Sequence, residues 1–313
     1  MNRPYYIFAC LLVLASCARQ EVAVPSPVIL SAGTVERHEN FPSEFISDRN
    51  VDVWLPQDYS DTEQYAVLYM HDGQMLFDST KSWNKQEWGV DEVMGRLLEE
   101  DLIRKTIVVG IWNTELRHSE YFPQKPFESL GPDQQDSLLN LNFGGPENKL
   151  FKAEVQSDNY LKFIVEELKP FIDENYATHK TMEETFIAGS SMGGLISMYA
   201  ICEYPEVFSG AACMSTHWIG TFDTLNNPIP EAFASYLDNN LPNPENHKIY
   251  FDFGTETLDA FYEPYQLIAD RIMQSNDYND QNWTTLKFEG ADHSERAWYE
   301  RLHIPLAFLF QEE

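Results

Sequence analysis

Cationic side chains are scarce in this chain. Its 313 residues hold 21 Lys and Arg against 50 Asp and Glu, a formal net charge of −29. A body this acidic repels a nucleic-acid backbone and an anionic lipid surface alike, which excludes nucleic acid, and any membrane bound by charge alone, as partners. Cysteine is scarce too, and four in this length exclude a disulfide-rich scaffold. No apolar run reaches the roughly 18–20 residues that a spanning helix needs. There is no HExxH, no P-loop, no G-x-G-x-x-G and no Cys/His cluster at metal-binding spacing, so neither a metal nor a nucleotide cofactor is expected. Core-forming residues, by contrast, are plentiful. At 43% hydrophobic and 14% aromatic the chain is far from a disordered composition, and its length allows one large domain.

The first twenty residues read MNRPYYIFACLLVLASCARQ: one cation at Arg3, an apolar run from Tyr5 to Leu14, small residues, then Cys17. That order is the grammar of an export signal. Leu14-Ala15-Ser16-Cys17 also resembles the lipobox of bacterial lipoproteins, in which cleavage leaves Cys17 as the lipid-bearing N-terminus. Acyl chains there would supply the membrane attachment that charge cannot. The expected organisation is a signal over 1–16, a tether over 17–34 and one domain over 35–313. The expected location is the bacterial cell envelope, with membrane contact through the lipid alone.

Past residue 35 there is no repeat, low-complexity tract or linker. Short apolar runs recur at Tyr65–Met70, Thr106–Ile111, Thr185–Ala188, Ala211–Met214, Lys248–Phe253 and Thr284–Phe288. They lack polar alternation, as strands buried on both faces do. Residues 36–46 and 50–56 are more polar and suit an antiparallel edge hairpin. Helical patterns fill the gaps at 156–175, 192–203, 260–274 and 295–310, the first with Tyr160, Ile164, Leu168 and Ile172 on one stripe. Pro170 should kink or shorten that run. Strand–helix alternation predicts a doubly wound, mostly parallel α/β sheet of about eight strands. Residues 113–155 are long, polar and Gly/Pro-containing, and read as a surface excursion near a ligand site. Cys202 and Cys213 fall on a helix and a buried strand, so two free core thiols are expected.

The most informative motif is Gly189-Ser190-Ser191-Met192-Gly193, a G-x-S-x-G entered from an apolar strand and followed by a helical pattern. That context makes it a nucleophile elbow, a strained turn that exposes a serine hydroxyl at a helix N-terminus. The spacing selects Ser191 as the nucleophile. A serine needs a base, which in this arrangement follows later in the chain. His38, His71, His118 and His179 precede Ser191; His303 lies in an apolar helix and His247 at a strand start. Of His217 and His293, the latter sits between the last strand and the last helix, where the base belongs, and His217 is expected to line the site. The acid should follow the Lys248–Phe253 strand, where Asp259 is favoured over Glu256. Two backbone N–H groups are needed for a developing oxyanion, and they are assigned to Met192 and Gln74. Trp112 and Trp218, near predicted strand ends, are candidate substrate contacts. Arg117 and Glu120 suit either the pocket or a surface ion pair.

Together these segments are similar to the bacterial putative-esterase family of α/β-hydrolases. Its members include enterochelin, feruloyl and acetyl-xylan esterases and S-formylglutathione hydrolases. The resemblance rests on Val67–Gln74 with its His-Asp-Gly-Gln, on Val109–Asn113 with Arg117 and Glu120-Tyr121, on Ala188–Gly194, and on His293-Ser294-Glu295 near Trp298. It covers most of residues 50–310. It implies the α/β-hydrolase fold and hydrolysis of carboxylic esters, on a small molecule or a carbohydrate, through Ser191, His293 and an acid after strand seven. Several members carry that acid three residues after the loop glycine, where this chain has Thr257, so the loop must be longer if Asp259 serves. Rival readings are an acyltransferase or thioesterase on the same scaffold, a non-catalytic envelope binding lipoprotein, and a serine peptidase.

Overall fold

Apolar runs with no polar alternation must be covered on both faces, and the computed structural model, which describes residues 28–311, covers them with helices. The strands are β1 (Thr34–Phe41), β2 (Arg49–Leu55), β3 (Ala66–His71), β4 (Thr106–Ile111), β5 (Thr185–Ser190), β6 (Gly210–Met214), β7 (Lys248–Gly254) and β8 (Trp283–Phe288). The first helices are α1 (Val90–Glu99), α2 (Arg117–Tyr121), α3 (Gln124–Glu128), α4 (Pro132–Leu139), α5 (Ser157–Lys162) and α6 (Lys169–Asn175). They are followed by α7 (Met192–Glu203), α8 (Ile229–Asn240), α9 (Glu263–Ser275), α10 (Glu295–Arg301) and α11 (His303–Phe310).

One eight-stranded sheet runs in the order β1-β2-β4-β3-β5-β6-β7-β8. Only the pairings of β1 with β2 and of β2 with β4 are antiparallel. The expected edge hairpin is β1–β2, and the expected doubly wound α/β-hydrolase fold is the one observed. Alternate strand residues feed two separate cores. Val67 and Tyr69 point into one, with the Tyr160, Ile164, Leu168 and Ile172 stripe. Ala66, Leu68 and Met70 point into the other, with Val93 and Leu97 of α1 and Leu306 and Leu309 of α11. That division is the two-residue period of a strand made visible.

Some boundaries differ from the sequence reading, each for a physical reason. Strand β8 is the sheet edge and is half-exposed rather than buried. The helical run over 157–175 holds a π turn at Phe163–Leu168, immediately before Pro170, which lacks the N–H and crowds the preceding turn. The last helical stretch divides at Leu302 into α10 and α11, and Pro305 sits in the first turn of α11, where its missing N–H costs nothing. Helices α1 and α8 were not expected, although Val90, Val93, Met94 and Leu97 carry a helical period. The 113–155 excursion is less superficial than it reads, because Tyr121, Phe122, Phe127 and Phe151 are all core residues. Residues 28–33 are bound to the body: the Ile29 amide donates to Asp78 at 3.0 Å and the Ser31 amide to Asp91 at 2.6 Å. Cys202 and Cys213 are buried free thiols. Cys17 and the signal lie outside the described residues. Among the described residues no helix is long and apolar enough to cross a membrane.

The carboxyl ends of the parallel strands open onto one edge, and two loops there are laced together. The Ala291 carbonyl accepts from the Thr255 and Glu256 amides, both at 3.0 Å. A Cβ on Gly254 would stand 2.2 Å from that carbonyl. Gly254→Ala should therefore push the two loops apart and destabilise the fold by about 1–3 kcal/mol. Denaturant midpoints check this, and an unchanged midpoint contradicts it.

Candidate active site

Ser191 stands between β5 and α7 at φ 57° and ψ −122°, a backbone that a non-glycine residue adopts only when its surroundings impose it. Here β6 imposes it. The Ser191 amide donates to the Met214 carbonyl at 2.9 Å, and the Ser191 carbonyl accepts from the His217 amide at 3.2 Å. The glycines make room. A Cβ on Gly189 would lie 2.7 Å from the Gly193 carbonyl carbon, and one on Gly194 would lie 2.9 Å from the Met214 oxygen. Met192 opens α7, so its N–H has no acceptor one turn earlier in the helix.

His293 is reached through the laced loops. Its amide donates to Thr257 Oγ1 at 2.9 Å, and its Nδ1 lies 2.5 Å from Asp259 Oδ1. The other Asp259 oxygen accepts from the Gly254 amide and from Ser215 Oγ, each at 2.6 Å. Burial alone would raise the Asp259 pKa, but the His293 bond and these donors act to lower it. An ionised carboxylate only accepts, so Nδ1 carries the imidazole proton and Nε2 is left with a lone pair. Glu256, the other candidate acid, is exposed and far less constrained. Thr257, the position at which several members of the resembling family carry the acid, instead anchors the His293 backbone. The longer loop needed for Asp259 is the short 3₁₀ turn Thr257–Phe261.

The His-Asp-Gly-Gln loop after β3 is held as firmly. Asp72 is left-handed at φ 59°, and Arg117 grips it with two bonds of 2.7 Å while Asn113 Nδ2 adds one of 2.5 Å. The Gln74 side chain accepts from the Asn113 amide at 3.1 Å. Among the described residues no acceptor is paired with the Gln74 amide. Arg117 and Glu120, read as pocket residues or as a surface pair, are not partners: Glu120 forms a buried ion pair with Arg49 at 2.7 Å.

His217 is buried beside Ser191, its Nδ1 2.6 Å from the Tyr262 hydroxyl. Tyr262 also neighbours Ser191 and stands edge-on to His293 at 5.9 Å between ring centroids. Trp218 faces inward, packing on Phe251 and donating to Gln266 at 2.8 Å. Trp112 is half-buried under the Arg37 guanidinium and donates to Asp52 at 2.9 Å. Sequence reasoning missed Tyr262, Arg301 and the Asp72–Arg117 grip. No spacing signals the last two, since their partners lie 45 and 49 residues away. Tyr262 lies three residues beyond Asp259, one helical turn on, which was a readable clue. Among the described residues no group of three His, Cys, Asp or Glu side chains is gathered for a metal.

The comparisons bear on this geometry. The family described as Putative esterase matches residues 43–137 and 132–309. The chain belongs to that family. It is 28% identical over 173 residues to the uncharacterized protein YbbA of Bacillus subtilis, covering 55% of this chain and 58% of YbbA. It is 25% identical over 162 residues to the ferri-bacillibactin esterase BesA of the same organism, covering 49% of each chain. The chain thus spans about half to three-fifths of these two relatives. A solved ferulic acid esterase shares the fold at a TM-score of 0.61 and 18% identity, over 89% of this chain and 98% of that one.

The buried imidazoles set an acid limit on stability. Burial pushes the His71 pKa down to about 3 and holds that of His217 well below its ordinary value. Below about pH 6.5 the unfolded chain binds protons that these two groups refuse in the folded chain, so stability falls as pH falls. Between pH 7 and 5 the His71 shift should cost about 2 kcal/mol, and His217 acts in the same direction. Burial raises the Asp91 pKa to about 7, which titrates in the opposite sense, so the check is the pH 7-to-5 change in urea midpoint of the wild type against that of His71→Gln; equal changes would refute the burial of a neutral His71.

Proposed function

We propose that this protein hydrolyses carboxylic esters through an acyl-enzyme on Ser191, with His293 as base and Asp259 as the acid that orients it. One observation carries the reading: the Asp259 bond to Nδ1 leaves His293 Nε2 as a proton acceptor, at the same sheet edge as the strained serine. His293 takes the Ser191 proton as the hydroxyl oxygen attacks the ester carbonyl. The Met192 and Gln74 amides hold the oxyanion. Collapse expels the alcohol with the proton from His293. Water, deprotonated by His293, then attacks the acyl-serine and releases the acid.

For the acyl group, an aromatic acid fits the mouth of the site. Phe143 and Phe222 are each about half-exposed and stack with centroids 4.0 Å apart, and Phe222 leans on His217 at 5.6 Å. A ferulic acid esterase shares the fold, so feruloyl and acetyl esters of sugars are the substrates to try first. We further propose export and lipidation at Cys17, on the sequence of residues 1–17 alone. The acyl chains would hold an otherwise repelled acidic body at the envelope.

The test is hydrolysis of p-nitrophenyl acetate and of acetylated and feruloylated sugars, with fluorophosphonate labelling of Ser191. Ser191→Ala should abolish both, and Asp259→Asn should lower kcat by about 10⁴-fold while Glu256→Gln keeps most of it. A wild-type chain that is neither active nor labelled refutes the reading. Cys17→Ser should move the protein from the membrane fraction to the soluble one, and unchanged membrane retention would rule out the anchor.

A further inference from the structure

Ser215 follows β6 and is buried, at φ 42°, in the left-handed region that disfavours a side chain. Its Oγ accepts from Trp298 Nε1 at 3.0 Å and from Arg301 Nη2 at 2.8 Å. Both partners are obligate donors, and together they use the two lone pairs of the hydroxyl. The one remaining proton has one remaining partner, Asp259 Oδ2 at 2.6 Å. The direction of this bond is therefore dictated by chemistry. The Ser215 amide is spoken for as well, donating to the side chain and carbonyl of Asp252 at 3.0 and 2.9 Å. Arg301 is buried, forks onto Asp252 at 2.9 and 3.2 Å, and is thereby fixed in place behind the hydroxyl.

We propose that Ser215 is a positioning residue for the acid–base step, its hydroxyl held by Trp298 and Arg301 so that Asp259 keeps the rotamer that meets His293 Nδ1. The inference rests on the Ser191–His293–Asp259 reading and adds to it. Asp259 has two oxygens and could turn about its side-chain bonds. Ser215 Oγ–H and the Gly254 amide tether one oxygen, which leaves the other aimed at the imidazole. Trp298 ties the same hub to the base from a second side, standing edge-on to His293 at 5.0 Å. A strained backbone at a buried hydroxyl whose proton and two lone pairs are all engaged is a placement that packing alone does not require.

Ser215→Gly is the informative variant, because glycine suits φ 42° and offsets part of the cost of leaving Trp298, Arg301 and Asp259 without the hydroxyl. Ser215→Ala is its companion. With p-nitrophenyl acetate, kcat should fall by about 10- to 100-fold with KM unchanged. The far-downfield proton NMR signal of the His293–Asp259 bond should shift or vanish. Wild-type kcat with an unmoved signal, in either folded variant, overturns the proposal. The NMR signal reads the orientation of Asp259 even in a chain that hydrolyses nothing. Absence of fluorophosphonate labelling in the wild type would sink the proposed function, and an unmoved signal would sink this inference.

Discussion

A negative charge held out of water has to be satisfied at every lone pair, and the Asp259 carboxylate is where this structure meets that demand. A buried carboxylate without donors would protonate instead. Three donors reach it, from the end of β7, from the residue after β6 and from the loop before α10. Each donor draws an element of the fold into line. Gly254 must be a glycine because the Ala291 carbonyl stands against it, and Thr257 binds the His293 backbone. Three loops that are far apart in the chain are thus bound into one unit at the edge of the sheet.

The opposite side of the site answers a different demand, for backbone conformations that residues with side chains avoid. Ser191 and Asp72 both have positive φ. Neither is paid for locally. Strand β6 clamps Ser191 through Met214 and His217, and Arg117 with Asn113 clamps Asp72. Packing makes both possible, since the central strands are wholly buried and close-packed against one another. A rigid sheet carries strained turns at its carboxyl end, which is where open α/β sheets place their ligand crevice.

Much of this was legible in the residue order. Apolar runs without alternation marked the inner strands, and G-x-S-x-G after one of them marked the turn. The position of His293 between the last strand and the next helix marked it as the candidate base that meets Asp259. Asp259 was preferred over Glu256 in the loop after β7. Other features left no local trace. The edge position of β8 depends on what fails to pack beside it. The burial of Tyr121, Phe122 and Phe151 in a stretch that reads as polar depends on the core they meet. Arg117 looked equally fit for Glu120, three residues on, and for a pocket; its partner proved to be Asp72.

The residue order alone determined the fold class, the strained serine, the acidity of the body and the family to which the chain belongs. Those properties depend on local periodicity, on glycines at fixed offsets and on composition, all of which are written along the chain. Tertiary structure alone decided which acid meets His293, where Trp218 points, and that Ser215 and Arg301 stand behind Asp259. The reason is physical. A hydrogen bond acts over about 3 Å of space, whereas its partners here are separated by 34 to 86 residues of chain, and only packing converts one distance into the other.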